Sequence, residues 1–448
     1  MRPGGGSLAI ASALVASALA PPSARANGAF PASGQVIVDP SDAGVVFVSA
    51  TFGLAKSTDA GASFYLVCEE AIGFSSGFHP FYAMTQTGAI LGGLPDGLVW
   101  SRGETCAFTR APELEGLSVV DVSVDPSGRA IAVALPPAPA DAVVFVSTDD
   151  LVSWTALGAP LPEKTTPLTI DVAPSDPSRI YVSAIAEGDP PLGILVRSTD
   201  GGQTWASVFV PESEASTHPF LAGIDPLNAD RLYVRLNGAP GRLFVSDDGG
   251  VTFLKALETE GFLRAFDLSD DGAYALVGGD VDGLLRLDTA TLVAEPHATV
   301  AARCVNIDGP RVFACGTPAV DGFSAGVSTD GGATFEPLFV QTCLKGPLAC
   351  AAGTPVGDLC PAAWPMVQEL LGATGCEGGG GASAASSDAS GPAASSAAST
   401  GAGTGGAAAD SLEPGGGCRC SAATLGGDGP WLLWLGLAAL GRRGTRRA

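Results

Sequence analysis

Basic residues are scarce in this chain. Lys and Arg total 23 against 46 Asp and Glu, and seven of the 23 lie in the terminal segments 1–26 and 418–448. Residues 27–417 therefore hold 16 basic and 45 acidic residues, a net charge of −29. Because such a surface repels nucleic acid and anionic lipid, the composition argues against nucleic-acid binding and favours solubility outside the cell.

Histidine is scarcer still, with three residues in the whole chain. His297 has no partner by spacing, so neither a histidine metal site nor a Ser–His–Asp triad has support. His79 and His218 occur in the related stretches FHPFYA (78–83) and THPFLAG (217–223). They either line a ligand site or mark a repeated junction between a loop and a strand, and the junction is the interpretation we favour.

Apolar runs long enough to span a bilayer are also missing, and the short ones lie at the two ends. Arg2, the apolar stretch 8–20 and ARA (24–26) predict a secretory signal peptide, residues 1–26, cleaved after Ala26. An N-terminal anchor is the alternative, but the apolar run is too short for one.

The C-terminal end combines a small-residue linker with a short apolar segment. Residues 377–417 are nearly all Gly, Ala and Ser, which predicts a flexible tether. Cys418 and Cys420, an apolar segment (430–441) and a terminal Arg cluster follow. This order resembles the MYXO-CTERM sorting tail of myxobacterial surface proteins. The resemblance implies that a membrane protease processes residues 418–448 near the cysteines and that the protein reaches the cell surface. A simple membrane anchor is the alternative.

Ten cysteines in an exported chain predict disulfides. Cys304 and Cys315 lie symmetrically about the turn at 309–310, so we expect them to pair across a hairpin. Cys68 and Cys106 fall in consecutive repeats and would join neighbours. Four more form a group after the last repeat (residues 343–376), with three possible pairings among them: Cys343, Cys350, Cys360 and Cys376. Zinc binding is the rival interpretation, but no C-x-x-C pair and no nearby histidine support it.

One eight-residue pattern, the octet, recurs along the chain. Its clear copies begin at residues 57, 147, 198, 246 and 328, and degenerate copies at 101 and 287 fill the gaps. The spacing of about 40–51 residues is that of a four-stranded propeller blade. Alternating β-branched stretches and Asp-Pro turns precede most copies. We therefore predict an all-β fold, a single seven-bladed β-propeller over residues 27–342, with one helix near 362–373.

The octet matches S-x-D-x-G-x-[ST]-[WF] and so resembles the Asp box, or BNR repeat, of sialidases, sortilin-type receptors, xyloglucan-cleaving glycosidases and photosystem II assembly factors. The matching residues are Ser57, Asp59, Gly61 and Phe64; Ser147, Asp149 and Trp154; Ser198, Asp200, Gly202 and Trp205; Ser246, Asp248, Gly250 and Phe253; Ser328, Asp330, Gly332 and Phe335. Leu151 replaces the glycine of the second copy, so we expect that turn to depart from the usual geometry.

The resemblance implies that the octets are structural turns between third and fourth strands, on the rim away from the ligand-binding mouth. A short carboxylate can accept hydrogen bonds from the amides of its own turn. The resemblance does not extend to sialidase activity, because the early F/Y-R-I-P signature is missing and the five tyrosines do not suggest a nucleophile. Arg264 and Arg303 are the arginines closest to blade starts.

The function that these features favour is binding of an envelope or extracellular protein or glycan by an exported propeller. The alternative is a glycoside hydrolase that uses two carboxylates in the propeller mouth, but no pair stands out and the catalytic residues are unknown. No cofactor is predicted. Two acidic turns, 267–274 and 280–288, leave Ca²⁺ as an alternative, although neither matches the EF-hand pattern and solvated turns are the preferred interpretation.

Overall fold

The computed structural model describes residues 31–74, 78–214 and 216–376, and these form seven four-stranded antiparallel sheets. The predicted seven-bladed all-β propeller is therefore confirmed. The predicted signal peptide, tether and sorting tail, with Ala26, Cys418 and Cys420, lie outside the described residues. Within the described part of the chain, no helix is both long and apolar enough to cross a membrane.

Each blade takes its four strands from one contiguous stretch of chain. Blades 1 to 3 comprise β1 (Ser33–Asp39), β2 (Asp42–Ala50), β3 (Gly53–Ser57) and β4 (Tyr65–Cys68); β5 (Tyr82–Met84), β6 (Ile90–Leu94), β7 (Gly97–Ser101) and β8 (Thr109–Arg110); β9 (Ser118–Val124), β10 (Ala130–Leu135), β11 (Val143–Ser147) and β12 (Thr155–Ala156). Blades 4 and 5 comprise β13 (Thr165–Val172), β14 (Ile180–Ala186), β15 (Leu192–Ser198) and β16 (Ala206–Phe209); β17 (Pro219–Ile224), β18 (Leu232–Leu236), β19 (Gly241–Ser246) and β20 (Leu254–Thr259).

Blades 6 and 7 comprise β21 (Ala265–Leu268), β22 (Tyr274–Gly279), β23 (Gly283–Asp288) and β24 (Ala294–Ala298); β25 (Cys304–Asp308), β26 (Arg311–Cys315), β27 (Ala325–Ser328) and β28 (Glu336–Phe339). Short helices occupy connections: α1 (Glu69–Ile72), α2 (Pro318–Asp321) and the 3-10 turns Pro112–Leu114 and Gln341–Cys343. The longest helix, α3 (Pro355–Leu371), follows the last blade.

The first strands of the blades contact one another in a closed circle, β1 to β5 and onward to β25 and back to β1. They do not pair as a sheet, so their inward N–H groups need other acceptors. Polar side chains of neighbouring blades provide these. The Gln35 amide accepts from the Tyr82 N–H at 3.0 Å, the Asp121 carboxylate from Ile170 at 2.9 Å, the Thr169 hydroxyl from Leu221 at 3.0 Å and the Asp267 carboxylate from Ile307 at 2.7 Å.

The octets lie where the sequence predicts, at the turns between third and fourth strands. In the blade 4 copy, Asp200 Oδ1 accepts from the Ser198 hydroxyl at 2.7 Å and from the Thr204 N–H at 2.9 Å, while Oδ2 accepts from the Thr204 hydroxyl at 2.6 Å. The Ser198 hydroxyl in turn accepts from the Gly202 N–H at 2.8 Å. The same arrangement recurs at Asp59, Asp149, Asp248 and Asp330.

A leucine of the preceding blade also packs against the octet glycine, a contact that the motif does not reveal. A Cβ added at Gly250 would lie 2.3 Å from Leu195 Cδ2, and one at Gly202 would lie 2.6 Å from Leu157 Cδ2. Gly61 and Gly332 meet Leu338 and Leu276 in the same way. In these four copies the glycine therefore serves both the positive φ and the packing between blades.

The expectation that the Leu151 turn departs from the usual geometry is wrong. Leu151 adopts φ +70°, close to the +80° of Gly250, and its N–H still bonds the Ser147 hydroxyl at 3.1 Å. A left-handed conformation costs a non-glycine residue about 1–2 kcal/mol. Leu151 is fully buried against the blade 2 and 3 core, and burial of a leucine contributes about 1.5–3 kcal/mol, which offsets that cost.

The degenerate octets of blades 2 and 6 are held by cations from the preceding blade. The Lys56 ammonium donates to the Gly103 carbonyl at 2.7 Å and to the Thr105 hydroxyl at 3.0 Å. Burial lowers the pKa of Lys56 to about 8. Likewise, Arg231 donates to the Thr289 carbonyl in the blade 6 turn. In both degenerate copies, a basic side chain of the preceding blade therefore donates hydrogen bonds to the turn, as Arg197 also does to the Gly249 carbonyl of a clear copy.

The cysteines are paired differently from the prediction, with one exception. Cys304 and Cys315 form the predicted hairpin disulfide. Cys68 and Cys106 do not join neighbouring blades to each other, because Cys68 pairs with Cys360 and Cys106 with Cys350. Within the last group, only Cys343 and Cys376 pair with each other. The segment 343–376, here called the appendix, therefore folds back onto blades 1 and 2 instead of forming a separate knot.

Helix α3 begins seven residues before the predicted start at 362. Thr354 caps it by accepting the Gly357 N–H at 3.2 Å, and Pro355 occupies the first turn, where a missing N–H costs nothing. Gly357 and Pro361 weaken the helical pattern of the sequence. The burial of Val356 and the disulfide of Cys360 in the shared core override that local preference.

Candidate binding site at the ring mouth

All first strands begin at one end of the ring, since every blade repeats the same antiparallel order. The octet turns, two strand reversals later, lie at the opposite end. We call the end at which the first strands begin the mouth. It is formed by the residue before each first strand and by the turns between second and third strands.

Four consecutive blades place a basic residue directly before the first strand. In blades 1 to 3 this position holds Ala32, Phe81 and Leu117, whereas in blades 4 to 7 it holds Lys164, His218, Arg264 and Arg303. We call the second set the basic arc. Lys164, Arg264 and Arg303 of the arc concentrate positive charge on one half of the mouth of a protein whose net charge is −23.

Arg264 lies at the centre of the best-defined part of the arc. Its Nε is 3.7 Å from Asp280 Oδ1, and its guanidinium lies 5.0 Å from the centroid of the Phe262 ring. The side chain is only 11% exposed, whereas Asp280 is 45% exposed. Asp280 follows β22 at the mouth end, so this ion pair joins the linker before blade 6 to the turn within it.

A third arginine lies behind Arg264. Arg235, in β18, is fully buried, donates to the Leu263 carbonyl at 3.3 Å and stacks 4.8 Å from the Phe220 ring centroid. Burial, and then the neighbouring charge of Arg264, lower the pKa of Arg235 to about 9. The sequence does not reveal this residue, because a mid-strand arginine carries no signal of its own in an alternating strand.

Arg303 completes the cluster. Burial lowers its pKa, the charge of Arg264 lowers it further, and Asp280 opposes the shift. Its Nε is buried and has no hydrogen-bond partner among residues 31–74, 78–214 and 216–376. Arg264 thus influences both other guanidinium groups, and Asp280 lies near Arg264 and Arg303.

The two other carboxylates of these mouth turns are already engaged. Asp282 accepts the N–H groups of Glu260 and Gly261 at 2.8 and 2.9 Å. Asp321 accepts the Ala301 N–H at 3.1 Å, together with the Thr317 N–H. Both fix the linkers that carry the arginines. The arrangement brings three guanidinium groups together in partly desolvated surroundings, which is the chemistry that binds a carboxylate or another oxyanion.

The two histidines lie in different settings. His218 directly precedes β17 and is part of the arc, while Pro219 and Phe220 after it are buried, as expected for a junction between a loop and a strand. His79 lies three residues before β5. Each has a buried nitrogen without a hydrogen-bond partner among the described residues. Burial lowers the pKa of His79 to about 4 and also lowers that of His218, which favours the neutral form at neutral pH.

The octet carboxylates are committed to their turns. Hydrogen bonds from Thr204 and Ser198 lower the pKa of Asp200 to about 2, and those from Thr252 and Ser246 do the same for Asp248. These carboxylates lie at the end of the ring away from the mouth, and each accepts three or more hydrogen bonds. They therefore stabilise their own turns.

Carboxylates also lie on first strands inside the ring, with Asp121 and Asp171 on neighbouring strands and Asp267 on β21. Asp121 is buried, and burial raises its pKa to about 7. Asp171 accepts from the Ser123 hydroxyl at 2.6 Å and from the Val172 N–H at 2.8 Å. Through these bonds, and through the Ile170 N–H that Asp121 accepts, both groups hold adjacent blades together.

The acidic turns considered for calcium are also internally bonded. Asp271 accepts from the Ser269 hydroxyl at 2.7 Å, and Asp288 from the Thr291 N–H at 2.8 Å. Across the described ranges, no group of three or more His, Cys, Asp or Glu side chains is arranged to hold a metal ion.

Similar folds are found among solved structures. The chain is similar to an ancestral GH74 enzyme (18% identity, TM-score 0.47, covering 69% of this chain and 45% of that one) and to the extracellular domain of a B. thetaiotaomicron protein described as a one component system (14%, 0.47, 68% and 38%). It is also similar to a GH74 xyloglucanase from Xanthomonas campestris (13%, 0.27, 67% and 68%). The chain thus spans less than half of the first two proteins. No protein-family model and no curated protein matches it.

Proposed function

We propose that this protein is an exported Asp-box propeller of the cell surface that binds an acidic group of an extracellular or envelope protein or glycan at its mouth. The observation that carries the proposal is the cluster of Arg235, Arg264 and Arg303 at the mouth, in which the buried Nε of Arg303 has no hydrogen-bond partner among the described residues. A buried guanidinium without a full set of acceptors is costly, so a ligand carboxylate that supplies acceptors is bound favourably.

Long-range electrostatics restrict the ligand. The acidic body repels an extended polyanion, while the cluster attracts at short distance, since charges separated by more than about 10 Å are screened at 0.1 M salt. The proposal therefore concerns a single acidic group within a larger ligand, and not a nucleic acid.

Export is supported by the four disulfides, which persist in oxidising compartments. The signal-like segment 1–26 and the sorting-like tail 418–448 provide the route. Cell fractionation with a surface-protease accessibility assay tests this part. We expect the propeller outside the cytoplasmic membrane, and finding intact protein only in the cytoplasm would contradict it.

Binding is tested with the full disulfide-bonded ectodomain on an array of uronate, sialylated, sulfated and neutral glycans and of acidic and neutral peptides. We expect acidic probes to be retained, and Arg264→Ala with Arg303→Ala to weaken retention at least about tenfold, as the loss of charged hydrogen bonds implies. Arg311→Ala is the matched control, because Arg311 pairs with Asp308 at the other end of the ring.

A hydrolysis assay on the same glycans runs in parallel and addresses the alternative function. Turnover that Asp121→Asn or Asp171→Asn abolishes would favour a glycoside hydrolase over a binding module. Equal retention of neutral and acidic probes, or no effect of the arginine substitutions, would rule out the arginine cluster as the binding site.

A further inference from the structure

The seam between blade 7 and blade 1 differs from the other six. Each blade is contiguous in sequence, so no strand is shared between the last blade and the first. Between the two blades themselves, Asn306 donates to the Val36 carbonyl at 3.3 Å, and Leu338 packs against Gly61. Every other seam is crossed by the chain itself. This seam is therefore where the ring can open without unfolding a blade.

The appendix crosses this seam and extends the sheet of blade 1. It continues from the end of blade 7, where the Lys345 N–H donates to the Phe64 carbonyl at 3.0 Å. Leu66 then pairs on both sides: its N–H donates to the Gly346 carbonyl at 2.7 Å, and its carbonyl accepts from the Leu348 N–H at 2.8 Å. Residues 345–348 thus add a short parallel segment to β4, the outer edge of blade 1.

Two disulfides make the crossing covalent. Cys360 in α3 bonds Cys68 at the end of β4, 292 residues away, and Cys350 bonds Cys106 in the degenerate octet of blade 2, 244 residues away. The chain after blade 7 is thereby attached to blade 1 and to blade 2. Because both bonds close very long loops, they restrict the opened chain far more than a hairpin disulfide does.

Apolar packing fills the space beneath these bonds. Val356, Val367 and Leu371 of α3 are buried in one hydrophobic cluster with strands of blade 1 and with Phe339 of blade 7. The Phe339 ring lies 5.0 Å from the ring of Phe64, which is the octet aromatic of blade 1. The appendix and both sides of the seam therefore share one core.

We propose that the appendix is a clasp that keeps the ring closed, and that the Cys68–Cys360 and Cys106–Cys350 disulfides, more than the contacts of the seam itself, hold blade 7 against blade 1. In a ring closed by strand exchange, a strand shared between the last and first blades keeps the ring closed; here the clasp has that role. It also fixes α1, which directly follows Cys68 and contacts α3, and so fixes the start of the linker to the blade 2 side of the mouth.

The test is amide hydrogen exchange on the full chain with Cys350→Ser and Cys360→Ser combined. We expect β1, β4 and β25 to exchange at least about tenfold faster than in the wild type, with the first strands of blades 3 to 5 unchanged, because local opening raises exchange only where it occurs. The matched control is Cys343→Ser with Cys376→Ser, which removes a disulfide that reaches no blade 1 or 2 residue.

A second measurement avoids any failure of the variant to fold. The folded wild type is treated with a phosphine reductant, and the thiols that form are mapped by mass spectrometry. Amide exchange is then measured once the Cys106–Cys350 and Cys68–Cys360 disulfides have been reduced. Cys106 and Cys350 are half-buried. Faster exchange at β1 and β25 supports the clasp. Unchanged exchange there, an equal effect of the control variant, or uniform acceleration around the ring would overturn it.

Discussion

The two ends of the ring use charge in opposite ways. At the octet end, carboxylates repeat at every clear copy, and each accepts a full set of hydrogen bonds from its own turn. At the mouth, arginines converge from blades 5, 6 and 7, and their charges repel one another. Groups with saturated hydrogen bonds stabilise structure, whereas like charges that converge at an opening can bind a group of opposite charge. The first end therefore maintains the fold, and the second is the candidate for binding.

The largest expected difference between the two ends is in glycine substitution. Gly250→Ala at the octet end should lower the free energy of unfolding by about 3 kcal/mol, because a left-handed alanine costs about 1–2 kcal/mol and crowding of Leu195 adds about 1–3 kcal/mol. Gly322→Ala is the matched mouth variant, since Gly322 has φ +78° and open space at its Cβ. Gly322→Ala should lose only the about 1–2 kcal/mol of unfolding free energy that a left-handed alanine costs. Urea unfolding of both variants checks this, and equal losses would contradict the packing account.

Restoring the octet consensus should destabilise blade 3. Leu151→Gly relieves a left-handed leucine, which is worth about 1–2 kcal/mol, but deletes a buried side chain, which costs about 3–5 kcal/mol. We expect a net loss of about 2 kcal/mol. Thermal and urea unfolding give the measurement. A variant more stable than the wild type would show that backbone strain dominates at this turn.

Asp121 should give the ring a pH dependence opposite in sign to that of the octets. Its folded pKa of about 7 lies above its ordinary value of 3.8, so between those pH values the folded protein holds a proton that the unfolded chain has released. Its contribution to stability is complete below about pH 4 and declines up to about pH 7. The octet carboxylates, with lowered pKa values, contribute above pH 4 and lose that contribution as the pH falls towards 2.

The measurement is the difference in unfolding free energy between the wild type and Asp121→Asn at several pH values. We expect the unfolding free energy of the wild type to fall, relative to that of Asp121→Asn, by up to about 1 kcal/mol for each pH unit between pH 4 and 7. Asp200→Asn should show the reverse, a lower melting temperature than the wild type at pH 7 and a similar one near pH 2. A pH-independent difference for Asp121→Asn would mean that its carboxyl titrates normally.

The smallest effect is expected at the mouth. Arg303→Ala should change the melting temperature by less than about 2 °C, because its charged form is disfavoured by burial and by Arg264, so that little stabilisation is lost. Differential scanning calorimetry checks this, with Arg129→Ala as the comparison, since Arg129 is fully paired with Asp125 at 2.9 Å. A larger loss for Arg303→Ala than for Arg129→Ala would show that the cluster is structural.

Local patterns were sufficient for the architecture. The octets at regular spacing and the alternating strands between them predicted seven blades, and the symmetric placement of Cys304 and Cys315 predicted their disulfide. These features depend on residues a few positions apart, where the physics of a turn or a hairpin fixes the partner. Arg264 and Arg303 could be placed near blade starts for the same reason.

Only the tertiary structure decided the remaining pairings. Cys68 meets Cys360 because closing the ring brings the end of the chain back to blade 1, a contact that no local pattern encodes across 292 residues. Arg235 joins Arg264 because neighbouring blades pack face to face, so a mid-strand residue comes to lie behind a linker of the next blade. The sequence by itself determined which turns and strands form and how many blades there are. The closure of those blades into a ring determined which distant side chains meet, because that closure is a property of the whole core.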